Sequence, residues 1–158
     1  MIYVCDTNSL SNILNHYYPD RFPTFWEKFD ELVGDKRLIS VREARFELKG
    51  KFDDDNIIDR LKVHNHNFFE EPTVEELAFI THIYSVPHFR QNLNRKKLLQ
   101  GGYFADPFII AKAKIKEAIV VTEEDRPENG VRIPNICDHF GIECVKIEGF
   151  LIKEDWKF

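Results

Sequence analysis

A chain of 158 residues, 43% of them hydrophobic, is sized for a single domain spanning residues 1–158, whose core needs neither disulfides nor a structural metal. The formal net charge of -5 excludes a domain that holds nucleic acid by overall positive charge, so any such contact must be local. No apolar run is long enough to cross a bilayer, and the first residues lack the basic and apolar regions of a signal peptide, so no membrane association and a cytoplasmic location are expected.

Residues 2–5 (IYVC) read as a first strand and residues 7–16 as a short helix, closed by Tyr17, Tyr18, Pro19 and Asp20. Phe25, Trp26, Phe29, Leu32 and Val33 recur at helical spacing over residues 23–33, up to Gly34. They are core by default, although such a stripe can also take a partner's helix. Residues 37–41 look like a second strand and residues 42–49 like a helix ended by Gly50. Residues 53–99 are mostly helical by pattern, with apolar positions at Ile57, Ile58 and Leu61 and again at Leu77, Phe79, Ile80, Ile83 and Tyr84. Breaks fall at Pro72 and Pro87, and Thr73 with Glu76 has capping-box spacing. Asp106-Pro107 predicts a helix start with the carboxylate as N-cap, the helix itself running over 108–116. A β-branched strand follows at 118–122, then a helix near 135–140 stopped by Gly141 and a strand at 143–147. Strands separated by helices predict an α/β fold with a parallel sheet covered on both faces. Cys5, Cys137 and Cys144 lie beside apolar residues without metal-ligand spacing and read as buried free thiols.

In an open parallel sheet, ligands gather at the carboxyl ends of the strands. Asp6 follows the first strand, and Glu123, Glu124 and Asp125 follow the strand ending at Thr122. Glu47 lies on the helix after the second strand, and Asp106 opens the helix before the strand at 118–122. Ionised groups set in apolar sequence are costly to bury unless paired or bound to metal. Four converging acids without an equal set of bases therefore predict a divalent-cation site. Each acid also has an ordinary reading. Asp6 alone is as good an N-cap as a ligand, Glu47 could be a solvated helix residue with Glu43 as competitor for its role, and residues 123–125 could be an exposed turn. The six histidines show no metal-ligand spacing.

Asp6-Thr7-Asn8 after a hydrophobic strand, Glu47 in FELKG, ADPFIIAKA around Asp106, and IVVTEED with Thr122 ahead of acids together resemble the PIN domain family of metal-dependent ribonucleases, over residues 2–147. More narrowly, ADPFIIAKA, VVTEE and IPNIC are similar to a PIN-like family of bacterial and archaeal proteins of otherwise unassigned function. The resemblance implies a three-layer α/β/α sandwich with a central, mostly parallel sheet and an acidic pocket that binds Mg²⁺ or Mn²⁺ and cleaves single-stranded RNA. It also implies that many relatives are toxins held inactive by a small antitoxin protein, and it leaves a homodimer open. By position, Asp6, Glu47 and Asp106 match the family's first three acids, and Asn8 and Thr122 its polar helpers. Glu124 aligns as the fourth acid, a glutamate where the family has aspartate, with Glu123 and Asp125 as alternatives.

Phosphodiester hydrolysis brings hydroxide to an anion through a more negative transition state, and carboxylate-held divalent cations assist both. In that chemistry Asp6 and Asp106 are the expected direct ligands. Glu47 and Glu124 would bind directly, through water or at a second metal, while Asn8, Thr122 and Asp125 would orient carboxylates or water. Lys49, Lys51, Arg90, Arg95, Lys96 and Lys97 are candidates for the substrate backbone, and Tyr103 and Phe104 for stacking a base. The run 95–97 reads equally as a solvated helix face. A PIN-fold scaffold without catalysis and a structure-specific DNA nuclease are the competing functions. An aspartyl-nucleophile phosphatase would need an aspartate at position 8, where the chain has Asn8.

Overall fold

The computed structural model describes residues 1–52, 61, 68–93 and 104–158. Short β-branched and aromatic runs, apolar on both faces, form strands buried in the middle of a sheet. Along the chain come β1 (Tyr3–Cys5), α1 (Thr7–His16), α2 (Pro23–Gly34), β2 (Leu38–Val41), α3 (Arg42–Lys51), β3 (Phe69–Glu70) and α4 (Val74–Ile83). Further along come a 3₁₀ turn (Pro87–Phe89), α5 (Asp106–Lys116), β4 (Ile119–Val121), α6 (Ile133–Phe140), β5 (Cys144–Val145) and α7 (Ile147–Lys153). The five strands among the described residues are all parallel, in the order β3-β2-β1-β4-β5, within a three-layer α/β/α sandwich.

This order places β1 at the centre and the reversal of winding between β1 and β4. Tyr3 is in register with both Leu38 and Ile119, Cys5 with Val121, and Val121 with Val145. One residue beyond the strands, Asp6, Thr122 and Lys146 therefore fall in one row across the carboxyl edge.

Phe25, Phe29 and Trp26 of α2 are buried and pack with Tyr17 and Trp156, so the aromatic stripe is core. Lys112 of α5 is also buried, at 1% exposure. Its ammonium lies 2.6 Å from Glu76 and 3.2 Å from Glu70, and it donates to the Glu71 carbonyl. Glu76 closes the capping box with Thr73, so one carboxylate starts α4 and ties it to α5.

Several boundaries differ from the sequence expectation, each for a local reason. Helix α3 runs through Gly50, where open space surrounds the backbone and nothing forces a turn. Ala105 occupies the cap position of α5, so Asp106 is the first helical residue and not the cap. Strand β5 holds only Cys144 and Val145, and Ile147 starts α7, which the pattern did not show. The edge strand β3 was also not predicted, because two residues are too few to display an alternation. Gly141 ends α6 as expected, at φ 69° in the left-handed region. The expected helical positions Ile57 and Ile58 lie outside the described residues, whereas Leu61 is buried.

Candidate acidic site at the carboxyl edge

Asp6 extends β1 by one residue, and its amide donates to the Val121 carbonyl at 3.0 Å, so the backbone is still held by the sheet where α1 begins. The side chain is 3% exposed. One oxygen caps α1 by accepting from the Ser9 amide at 2.7 Å, and the other accepts from the Thr122 hydroxyl. Ser9 fixes the corner, its hydroxyl donating to the carbonyls of Asp6 (3.1 Å) and Val121 (2.9 Å). Burial pushes the Asp6 carboxyl up to about 6, the Glu124 charge adds to this, and the Thr122 and Ser9 hydrogen bonds act in the opposite direction.

Two further acids join through this corner. Thr7 donates to Glu47 Oε1 at 2.9 Å, and the same oxygen accepts the Ala105 amide at 3.1 Å, so Glu47 ties the start of α1 to the residue before Asp106. On the β4 side, the Glu124 amide donates to Thr122 Oγ1 at 3.1 Å, while Glu124 Oε2 accepts from the Ile133 amide at the start of α6. Asp6, Thr122 and Glu124 are thus linked directly, Glu47 joins them through Thr7, and Asp106 follows the Ala105 amide that Glu47 holds.

Asp106 is 6% exposed, and its Oδ2 accepts from Asn92 Nδ2 at 3.3 Å. Asn92 also donates to the Val131 carbonyl at 2.8 Å and accepts from the Tyr84 hydroxyl at 3.0 Å. Sequence reasoning missed Asn92 and Tyr84. An asparagine in a helical stretch looks like any polar residue, and its contact to Asp106 exists only once the chain folds back.

The other candidates sit apart from these residues. Glu123 Oε1 accepts from the Ile147 amide at the start of α7, and Asp125 is exposed and paired with Lys146 at 2.9 Å. Asn8 is exposed on α1, its side-chain oxygen accepting from Asn12. Lys49 and Lys51 are exposed in the last turn of α3, Arg90 donates to the Tyr84 carbonyl, and Phe104 is half-buried. Arg95, Lys96, Lys97 and Tyr103 lie outside the described residues. Glu43, the competitor for the role of Glu47, is buried near Lys112 with Arg42 at 3.7 Å, and burial raises its carboxyl. Cys5 and Cys137 are buried and Cys144 half-buried, all as free thiols.

The loop from Glu124 to α6 is fixed by Asn135 of the IPNIC segment, which accepts from the Arg132 amide at 3.1 Å and donates to the Pro127 carbonyl at 2.7 Å. Gly130 is confined there, since a Cβ would come within 2.5 Å of Pro127 and 2.6 Å of Asn135.

Among the described residues, no group of three or more His, Cys, Asp or Glu side chains lies close enough together to hold a metal by itself. The donor set therefore does not fit a closed all-protein cage. Mg²⁺-type binding asks less of the protein, since one or two carboxylates suffice and water or substrate phosphate completes the shell. Asp6 and Asp106 are the residues that would hold such an ion. Among the described residues, no helix is long and apolar enough to cross a membrane.

Comparison with curated proteins and with solved structures finds no match. The model of a family described as a domain of unknown function (DUF4411) matches residues 3–158, nearly the whole chain. The chain belongs to the DUF4411 family.

Proposed function

We propose that the chain is a divalent-metal-dependent endoribonuclease of PIN type that cleaves single-stranded RNA. The observation that carries this reading is the buried Asp6 carboxylate at the point where the strand order reverses, the place where open α/β sheets take ligands. An acid held there by a hydroxyl and an amide, with its carboxyl pushed up to about 6, is kept at a cost in stability that a cation would offset.

Bound Mg²⁺ or Mn²⁺ would supply an activated water and neutralise phosphate charge. The chain's own residues position the rest. Thr122 and Ser9 fix both oxygens of Asp6, Asn92 orients Asp106, and Glu47 keeps the starts of α1 and α5 together. A toxin role and a small antitoxin partner rest on the PIN resemblance alone.

One observation favours a second reading, a PIN-fold binding module without catalysis. Asp6, Glu124 and Glu123 each accept an amide near the start of a helix, so each has a purely structural use. Incubating purified protein with labelled single-stranded RNA and matched DNA, in Mn²⁺, Mg²⁺ or EDTA, separates the two. Metal-dependent cleavage that is lost in Asp106→Asn supports the nuclease. Cutting at the wild-type rate by that variant sinks the site, and a folded protein that neither cuts nor binds Mn²⁺ supports the binding module.

A further inference from the structure

Beside the acidic site, the structure holds a cavity of about 240 Å³ lined by Thr122, Glu124, Asp125, Arg126, Pro134, Cys144, Val145 and Lys146. It shares Thr122 and Glu124 with the candidate site and adds an apolar surface from Pro134 and Val145. It is smaller than the roughly 300–1,000 Å³ of drug-sized ligand pockets, which suits a single base or sugar. Two cations belong to it, Arg126 and Lys146, their side chains half-exposed. Sheet register puts Lys146 in the same edge row as Asp6 and Thr122, so a strand lying along that edge meets the acids and then the ammonium.

We propose that this cavity is a nucleotide subsite for the residue next to the cleaved phosphodiester, its phosphate taken by Arg126 and Lys146. The placement rests on the nuclease reading. Neither cation was singled out by the sequence: Arg126 follows three acids that mask it, and Lys146 is a lone lysine between Val145 and Ile147. Arg126 is held by Asp138 at 2.8 Å and Lys146 by Asp125 at 2.9 Å. Exposed ion pairs of this kind contribute little, so a phosphate can replace the carboxylates readily, and the Arg126 guanidinium offers two parallel N–H groups to phosphate oxygens.

The test compares wild type with Arg126→Ala, Lys146→Ala and the control Lys153→Ala. Lys153 forms a surface pair of the same kind with Glu143, which precedes β5 and so lies toward the opposite edge of the sheet. Affinity for a labelled single-stranded RNA oligonucleotide is read by fluorescence anisotropy in EDTA over a salt series, and cleavage is read separately with Mn²⁺. Arg126→Ala and Lys146→Ala should each weaken binding about fivefold or more and flatten the log–log salt slope by about 0.7. KM should rise with kcat within about twofold, and Lys153→Ala should match wild type. Equal losses in all three variants, no loss in the first two, or no RNA binding by wild type would overturn the subsite. Binding that depends on Arg126 and Lys146 without cleavage by wild type would keep the cavity as a nucleotide-binding site and remove the nuclease reading. Cleavage with unchanged KM in both variants would do the reverse.

Discussion

Replacing Asp6 by Asn should make the metal-free protein more stable at neutral pH. Asn caps a helix about as well as Asp, so the Ser9 contact survives, and Thr122 can turn its hydroxyl to accept from the new amide. What changes is the charge. The Asp6 carboxyl sits at about 6 in the fold against 3.8 in an unconstrained chain, mainly through burial. The folded state therefore holds the proton more tightly, and its contribution to stability is greatest below pH 3.8 and is lost as pH rises to 6. At about 1.36 kcal/mol per pH unit, this difference amounts to about 3 kcal/mol above pH 6. Allowing for a poorer fit of the amide, Asp6→Asn should gain about 1–3 kcal/mol at pH 7.5 and nothing below pH 3.8. Urea denaturation in EDTA between pH 3.5 and 8 measures this. Repeating it with Mn²⁺ should raise the wild type and leave the variant unmoved, by about 2.7 kcal/mol at a hundredfold excess over Kd. A variant less stable than wild type at pH 7.5 would show that the carboxylate is part of the scaffold, and the argument from its cost would fail.

Lys112→Met should destabilise by about 3–5 kcal/mol, because the buried Glu76 would lose its cation, whereas Glu70 keeps Lys116 at 3.6 Å. Burial acts to raise the Glu76 carboxyl, but Lys112 and Thr73 outweigh it and hold the group below 4.5, so the deficit in urea midpoint should shrink as pH falls below that value. Thr122→Val removes a donor to a buried carboxylate, worth about 1.5–3 kcal/mol, and should move the Asp6 titration up by about 1–2 pH units from about 6 in a carboxyl NMR titration. Asn92→Leu strands the Tyr84 hydroxyl and loosens Asp106, costing about 1–3 kcal/mol in thermal or urea unfolding. Gly130→Ala should cost about 1–3 kcal/mol by forcing Pro127 and Asn135 apart, visible as a lowered Tm.

The parallel sheet was legible because β1, β2 and β4 are apolar on both faces and stand between helical patterns, and Asp6 and Thr122 could be placed at strand ends by the same pattern. Polar partnerships were less legible. The capping box of Thr73 and Glu76 showed in the spacing, yet the use of Glu76 to anchor a buried lysine of another helix did not. Asp106-Pro107 announced a helix start, but whether an acid sits at the cap or one residue inside depends on a backbone turn that composition does not encode. Glu123 and Glu124 look interchangeable in sequence. In the fold their side chains diverge, one to α7 and the other to α6, because neighbouring residues leaving a strand point to opposite sides.

The strand order also has a consequence for synthesis. β1 is made more than a hundred residues before one of its two neighbours, β4, and the acids divide the same way: Asp6 and Glu47 early, Asp106 and Glu124 late. A chain still emerging from the ribosome carries half of the crevice. Pairing so distant in sequence forms late, since the loop must close before the contact rewards it. If the crevice cuts RNA, the protein is harmless to its own message until β4 and Glu124 have been made and have joined β1.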